Sequence, residues 1–219
     1  ELRTPLTTIR LQTQITKRLL DRGNPDALSP QRMRHLVEQT DRQVERLSRL
    51  VDEMLDLTRI NAGKLTIQLE RFDLAELAAE MLERFADQLR TSGCEVSFEA
   101  PAPVVGCWDR YRMEQVLANL LTNAAKYSAE GTPVHLSAGA DERTVAFRVA
   151  DRGIGIRPDQ VERAFERFWQ GETGDRRRYP GAGLGLYLVR RIVERQNGWV
   201  SLRPREEGGT VAEVRFPRG

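Results

Sequence analysis

Apolar residues recur at helical spacing through the N-terminal part of the chain. Leu2, Leu6, Ile9, Thr13 and Thr16, with Leu19 and Leu20, form a mostly apolar stripe that predicts a helix over 1–21. The run from Asp21 to Pro30 gathers Gly, Asn, Asp, Ser and two prolines and predicts a loop. Met33, Leu36, Thr40, Val44, Leu47, Val51, Met54 and Thr58 then step by threes and fours, with Val37, Leu50, Leu55 and Leu57 beside them. That pattern approximates a heptad and predicts a second helix over 31–61, with Asn61-Ala-Gly63 as its cap. A two-helix hairpin cannot bury such stripes alone. They pack either on the rest of the chain or on a second hairpin. Because the stripes spread onto two flanks, a homodimeric four-helix bundle is the expectation.

From Lys64 the period changes. Leu65–Glu70 alternates like a strand, Asp73 can cap a helix through about Leu89, and 94–99 and 104–108 read as short strands. Asp109 can cap a further helix. Strands are expected at 134–140, 144–150, 199–202 and 211–216, with a helix from Gly183 to about Gln196. Helices and strands in this order predict an α/β sandwich with a mixed or largely antiparallel sheet, not a βαβ array. The fold class is therefore α+β, with a boundary that separates 1–63 from 64–219.

Composition alters this picture little. The net charge of +2 over 219 residues, with the signs interspersed, argues against a nucleic-acid groove. Cys94 and Cys107 are too few and too far apart for a zinc site or a disulfide framework. Free thiols suit a cytoplasmic module. No apolar run is long enough to span a bilayer. The chain opens without Met and inside a motif, so it reads as a fragment, and any membrane anchor is expected upstream.

Three motifs carry the chemistry. In Asn119-Leu-Leu-Thr-Asn123-Ala-Ala-Lys126-Tyr127, the two Asn and the Lys lie near one helical face. A carboxamide oxygen is a hard neutral donor that suits Mg²⁺, which takes few protein ligands and keeps places for water and phosphate. Lys126 offers a cation to phosphate oxygens. One helical Asn is most often a cap or a surface residue, but two Asn and a Lys followed by two glycine motifs outweigh that reading. In Asp151-Arg-Gly153-Ile-Gly155-Ile156, glycines let the backbone approach a flat base, and a buried carboxylate can accept from an adenine amine. In Gly181-Ala-Gly183-Leu184-Gly185-Leu186, successive amides at a helix start favour phosphate. Between them, the polar run from Trp169 to Pro180 reads as a lid over a triphosphate. Arg176, Arg177 and Arg178 within it are candidate phosphate contacts, although solvated charge accounts for at least two of them.

In order and spacing these motifs resemble the N box, first glycine box and second glycine box of sensor histidine kinases of two-component systems. Phe165-Glu-Arg-Phe168 resembles their F box, and Glu1-Leu-Arg-Thr4-Pro-Leu6 their H box begun one residue late. The resemblance covers essentially the whole chain. It implies a dimerisation and phosphotransfer hairpin over 1–63 and a Bergerat-type ATP-binding domain over 64–219. It implies that Asn123 coordinates Mg²⁺, that Asn119 lies near the phosphates, that Lys126 and Tyr127 line the nucleotide, and that Asp151 reads adenine. It places the phosphoacceptor His immediately before Glu1, gives Glu1 a part in activating it, and gives Thr4 the water used to dephosphorylate the partner. His35 and His135 occupy no acceptor position. The implied partner is a response-regulator receiver domain.

Two departures stand out. The F box runs on to Trp169-Gln170, where the family has an aromatic and an Arg, and Gln196-Asn-Gly198 replaces a common His-Gly-Gly. Related ATPases place a Glu one helical turn before the metal-binding Asn, whereas this chain has Asn119, which cannot serve as a general base. That favours transfer to histidine over hydrolysis. The competing expectations are a non-catalytic dimeric scaffold and a plain ATPase.

Overall fold

A computed structural model of the chain describes residues 3–23, 29–91, 93–128, 131–171 and 182–218. It divides into two compact units, Glu1–Gly63 and Lys64–Gly219.

The first unit is a helical hairpin of α1 (Arg3–Asp21) and α2 (Pro30–Asn61). Pro5 falls in the first turn of α1, where a missing backbone N–H costs nothing. Pro30 likewise opens α2, and Gly63, at φ 65°, closes it with an N–H to the carbonyl of Ile60. Thr7, Thr8, Thr13 and Thr16 of α1 return their hydroxyls to the preceding turn, as Thr7 does to Arg3 and Thr8 to Thr4. Between the helices the carboxamides of Gln12 and Gln39 meet, and Gln39 reaches His35 Nε2 at 2.8 Å. In the single chain Leu11, Ile15, Val37, Val44, Val51 and Met54 stay exposed.

The second unit is built on a five-stranded sheet in the order β2 (Glu95–Glu99), β4 (Pro133–Ala140), β5 (Thr144–Ala150), β7 (Thr210–Pro217), β6 (Trp199–Pro204). Only β2 and β4 run parallel. The strands alternate as a half-covered sheet must. Val134, Leu136, Val145, Phe147, Val149, Val214 and Phe216 join the core with α3 (Leu74–Thr91), α4 (Arg110–Tyr127) and α5 (Gly185–Arg195). Arg148, Glu213 and Arg203 alternate with these core positions along their strands. A second, two-stranded sheet pairs β1 (Glu70–Asp73) with β3 (Val105–Trp108), and Trp108 packs edge-on against Phe72 at 5.7 Å.

The strand expected at Leu65–Glu70 does not form there. Regular pairing starts only at Glu70. The N–H of Gln68 goes to the Asp109 carboxylate at 2.9 Å instead of to a neighbouring strand, so the alternation of Leu65, Ile67 and Leu69 has no ladder to join. Asp109 is the expected cap of α4, accepting from Arg112 N–H at 3.0 Å, and its own N–H donates to Gln196 Oε1 at 2.7 Å. One buried acid thus ties an entry segment to the start of α4 and the end of α5. The helix expected from Gly183 begins at Gly185, because Gly183 has φ 67° and stands outside helical space. Two short 3-10 turns, Pro158–Gln160 and Arg163–Phe165, occupy a stretch where sequence pattern predicts no element.

Candidate nucleotide site

The cleft is assembled by α4, the turn after β5 and the start of α5. Asn119, Asn123 and Lys126 sit half-buried on α4. Asn119 donates its Nδ2 to the carbonyl of Gln115 at 3.0 Å, which fixes its rotamer. Its Oδ1 is so close to α5 that a β-carbon on Gly185 would stand 2.8 Å from it. Gly185 is therefore a packing requirement as well as a helix start. The carboxamide of Asn123 makes no hydrogen bond among the described residues, so its oxygen is left for a ligand. The Lys126 ammonium lies 4.6 Å from the centre of the Tyr127 ring.

The first glycine turn is wedged against the end of α4. The Ile154 N–H donates to the Tyr127 carbonyl at 3.1 Å, and Ser128 bridges to Gly153. Asp151 is buried and held from several directions. Its Oδ1 accepts from Gly153 N–H at 2.8 Å and Thr210 N–H at 3.3 Å, its own N–H donates to the Thr210 carbonyl, and Arg205 donates to its carbonyl at 3.1 Å. The hydrogen bonds among described residues leave Oδ2 for a ligand donor. Burial pushes the Asp151 carboxyl above the usual aspartate range, against the opposing pull of the Gly153 and Thr210 amides and Arg205.

Gly183 closes the third side. Its carbonyl accepts from Phe168 N–H at 2.9 Å, and a β-carbon on it would meet the Trp169 carbonyl at 2.6 Å. Phe168 itself takes φ 62°, an outlier for an aromatic residue. Leu184 is buried at the turn into α5, and Leu186 is half-buried against the core. The Ser128 hydroxyl and the Trp169 Nε1 are buried without partners among the described residues. Orphaned polar atoms, glycine cradles and an unpartnered carboxamide fit a bound polar ligand.

The structure thus brings Asn119, Asn123, Lys126, Tyr127, Asp151, Gly153 and Gly155 together with Gly183, Leu184, Gly185 and Leu186. Gly181, Arg176, Arg177, Arg178 and Glu1 lie outside the described residues. Thr4 is exposed in the first turn of α1, with its hydroxyl unengaged among those residues. Sequence reasoning missed Thr210, Arg205 and Gly209. A β-carbon on Gly209 would stand 2.1 Å from the Asp151 carbonyl, and the Gly208-Gly209 pair before a strand was the available signal for Gly209.

Comparison with known proteins decides the family. Residues 108–219 match the model of the histidine kinase-, DNA gyrase B- and HSP90-like ATPases, and residues 1–63 match the His Kinase A phospho-acceptor domain. The chain belongs to the sensor histidine kinases. It is 29% identical over 174 residues to the sensor protein SrrB of Staphylococcus aureus, a match that covers 80% of this chain and 30% of that protein. The chain therefore spans under a third of the length of the curated relatives it matches. Among solved structures it resembles the Acinetobacter baumannii histidine kinase AdeS, at 25% identity and TM-score 0.71 over 99% of this chain and 96% of that one. It also resembles full-length ShkA, crystallised with AMPPNP, at 29% identity and TM-score 0.72 over 87% of this chain and 39% of that one. The α+β fold, a helical hairpin followed by a histidine-kinase-type sandwich, agrees with the expectation from sequence. Among the described residues no helix is long and apolar enough to cross a membrane.

Proposed function

We propose that residues 64–219 bind ATP and residues 1–63 form the phosphotransfer hairpin of a kinase core that phosphorylates itself on histidine and passes the group to a response regulator. The observation that carries this reading is the pairing of two groups left open for a ligand, the Asn123 carboxamide and Asp151 Oδ2, in a cleft lined by Gly153 and Gly185. Asp151 takes the adenine amine, and Lys126 and the amides at the start of α5 take phosphate. Asn123 would hold Mg²⁺ with the triphosphate and water, and the ion would neutralise charge on the phosphoryl oxygens. Among the described residues no three His, Cys, Asp or Glu side chains gather into a metal cage, which suits an ion carried by the nucleotide.

The acceptor is the histidine that the family's motif places just before Glu1. Its imidazole nitrogen attacks the γ-phosphorus in line, an N–P bond forms, the bond to the β,γ-bridging oxygen breaks, and ADP leaves as the imidazolium loses its proton. Glu1 assists that proton loss. A receiver-domain Asp carboxylate then takes the phosphoryl group and returns the imidazole. Thr4 orients water that hydrolyses the regulator's aspartyl phosphate, freeing the carboxylate and inorganic phosphate. Asn119 holds the place of a hydrolase's general base and is locked to Gln115, so water is not activated there. The exposed apolar stripes of α1 and α2 pair two copies into a four-helix bundle.

The test incubates a chain extended upstream through that histidine with labelled ATP and Mg²⁺. An acid-labile, base-stable phosphoprotein is expected. Its absence, with ATP still bound, would favour a nucleotide-binding scaffold, a reading to which Gln170 in place of the family's Arg lends weight. Rapid phosphate release without phosphoprotein would make the chain an ATPase.

A further inference from the structure

The five-stranded sheet packs α3, α4 and α5 on one face, and its other face carries an unbalanced charge cluster. Arg148 on β5, Glu213 and Arg215 on β7 and Arg203 on β6 alternate with core residues along their strands. All four therefore share the face turned away from the helices. Arg148 stands directly across from Glu213 on one side and Ser201 directly across on the other, with Arg215 two residues on. At the centre Glu213 is only 4% exposed, with three guanidinium groups drawn onto its carboxylate.

An ordinary surface ion pair sets one cation against one anion. Here one carboxylate serves three cations, so two positive charges are left over. Arg215 spends its fork on Glu213, Nε to Oε2 at 2.9 Å and Nη2 to Oε1 at 3.1 Å. Arg203 gives Nη2 to Oε2 at 2.8 Å, and Arg148 gives Nε to Oε1. Hydrogen bonds among the described residues leave Arg148 both of its Nη groups and Arg203 its Nε and Nη1. These two side chains are 44% and 59% exposed, so the unspent N–H groups can be reached from solvent. The Ser201 hydroxyl makes no hydrogen bond among the described residues either. Asp141, in the turn from β4 to β5, attracts Arg215, but its oxygens are taken by the Arg143 and Thr144 amides and the Thr144 hydroxyl. Glu95 and Glu99 belong to β2, the far edge of the sheet. Planar forks already oriented by a buried acid, with two charges to spare, match a doubly charged tetrahedral oxyanion.

We propose that this face of the sheet holds a binding site for a dianion of the phosphate class, gripped by Arg148 and Arg203 with the Ser201 hydroxyl beside them. Glu213 and Arg215 are positioning residues that hold the two forks in place. The site does not depend on the nucleotide reading, and ATP binding can fail while this site stands.

The same chemistry can come from a soluble phosphate or from a lipid headgroup, and two arms of one test separate them. In the first, inorganic phosphate replaces chloride at constant ionic strength while the backbone amide and arginine Nε–H signals of the ¹⁵N-labelled chain are followed. Saturable shifts are expected at Arg148, Ser201, Arg203 and Glu213. Arg203→Gln and Arg148→Gln should each weaken phosphate at least about tenfold. Arg90→Gln, which removes the same charge from α3, should leave binding unchanged. In the second arm the chain is sedimented with phosphatidylcholine vesicles with and without phosphatidic acid. Saturation by inorganic phosphate without pelleting assigns a soluble ligand, whereas pelleting that requires phosphatidic acid and is lost in Arg203→Gln assigns the headgroup. The proposal fails if neither probe binds, or if the shifts centre on α4 and α5 instead. It fails equally if Arg90→Gln weakens binding as much as Arg203→Gln, or if folded Arg203→Gln and Arg148→Gln bind as the wild type does.

Discussion

Gly153 lies so close to the end of α4 that a β-carbon at that position would stand 1.9 Å from the carbonyl oxygen of Tyr127. That same carbonyl accepts the Ile154 N–H, so the first glycine turn and α4 are fitted to one another through backbone atoms that cannot yield as a side chain can. Gly153→Ala must displace the turn and carry Asp151 with it. ATP affinity measured by calorimetry should drop at least tenfold, about 1.4 kcal/mol or more. The control is Gly139→Ala in β4, where a β-carbon meets nothing within 4 Å. It should leave ATP affinity unchanged. Equal affinity in the two variants would show that the turn does not position the nucleotide contact.

Asp151 is a case in which stability and binding pull apart. Burial raises its carboxyl above the usual aspartate value, so the folded state prefers the protonated acid. Its contribution to stability is complete below the ordinary aspartate value and is lost as pH rises through the raised one. At neutral pH the ionised group is a net cost to folding. Asp151→Asn keeps an oxygen for Gly153 and Thr210 but places a donor where the proposed contact to the adenine amine needs an acceptor. The melting temperature at neutral pH should hold or rise, while ATP affinity falls by tenfold or more. In the wild type, lowering pH through the raised value should weaken ATP binding by protonating Asp151. A variant that melts much lower, or binds ATP as before, contradicts this account.

Glu213 shows the opposite shift. Burial alone would raise its carboxyl, but hydrogen bonds from Arg215 and Arg148, with Arg203 beside them, hold it below the usual glutamate range. Arg203 and Arg215 reach Glu213 Oε2 at 2.8 and 2.9 Å, and Arg148 pairs with its Oε1. The stability it contributes is present above the ordinary glutamate value and is lost as pH falls through the lowered one. Glu213→Gln leaves three guanidinium groups around a neutral amide. The three arginines are partly exposed, so the cost is held to about 1–3 kcal/mol, read as a drop in melting temperature of about 2–4 °C per kcal/mol. None of these four side chains is among the residues assigned to the nucleotide site, so ATP affinity should not change. A neutral effect on melting would mean that the ring of arginines is solvated charge without structural value.

These contrasts explain what sequence could and could not reveal. The glycine turns and the Asn–Lys face of α4 were legible because each demands a residue type at fixed spacing. Helix and strand period placed α2, α4, β4 and β5, because long amphipathic runs carry their own geometry. Thr210 and Arg205 were not legible, since their role comes from the β5–β7 register and the turn after β6, which no local pattern encodes. The false strand at Leu65–Glu70 failed for the same reason. Its alternation was real, but Asp109, more than forty residues onward, claims the Gln68 amide. The two 3-10 turns escaped notice because a single turn has too few residues to show a period.

The apolar seam of the hairpin makes a prediction about assembly alone. Val44 lies at the centre of the heptad-like run in α2 and is 48% exposed in the single chain. Each such side chain that a second copy covers contributes up to about 1.5–3 kcal/mol. Val44→Glu would place two like charges near a two-fold axis and should convert the dimer to a monomer in sedimentation equilibrium. The sandwich has its own core, so ATP affinity should persist. A wild-type chain that sediments as a monomer at micromolar concentration would overturn the paired-hairpin reading directly.

The Asn123 carboxamide is the group whose role can be isolated most cleanly, because among the described residues it has no hydrogen-bond partner to lose. Asn123→Ala removes an oxygen without breaking a hydrogen bond among the described residues, so the melting temperature should stay within about 2–4 °C of wild type. If the oxygen serves a divalent ion carried by ATP, its loss matters only when that ion is present. In wild type, ATP should bind more tightly with Mg²⁺ than with chelator. In Asn123→Ala the chelator value should be retained, and the Mg²⁺ increment should shrink by tenfold or more, about 1.4 kcal/mol. Asp151→Asn should behave the other way, weakening ATP by the same factor with or without Mg²⁺, since the adenine end is indifferent to the ion. Loss of the Mg²⁺ increment in both variants, or in neither, would separate the metal from Asn123 and require a different ligand for it.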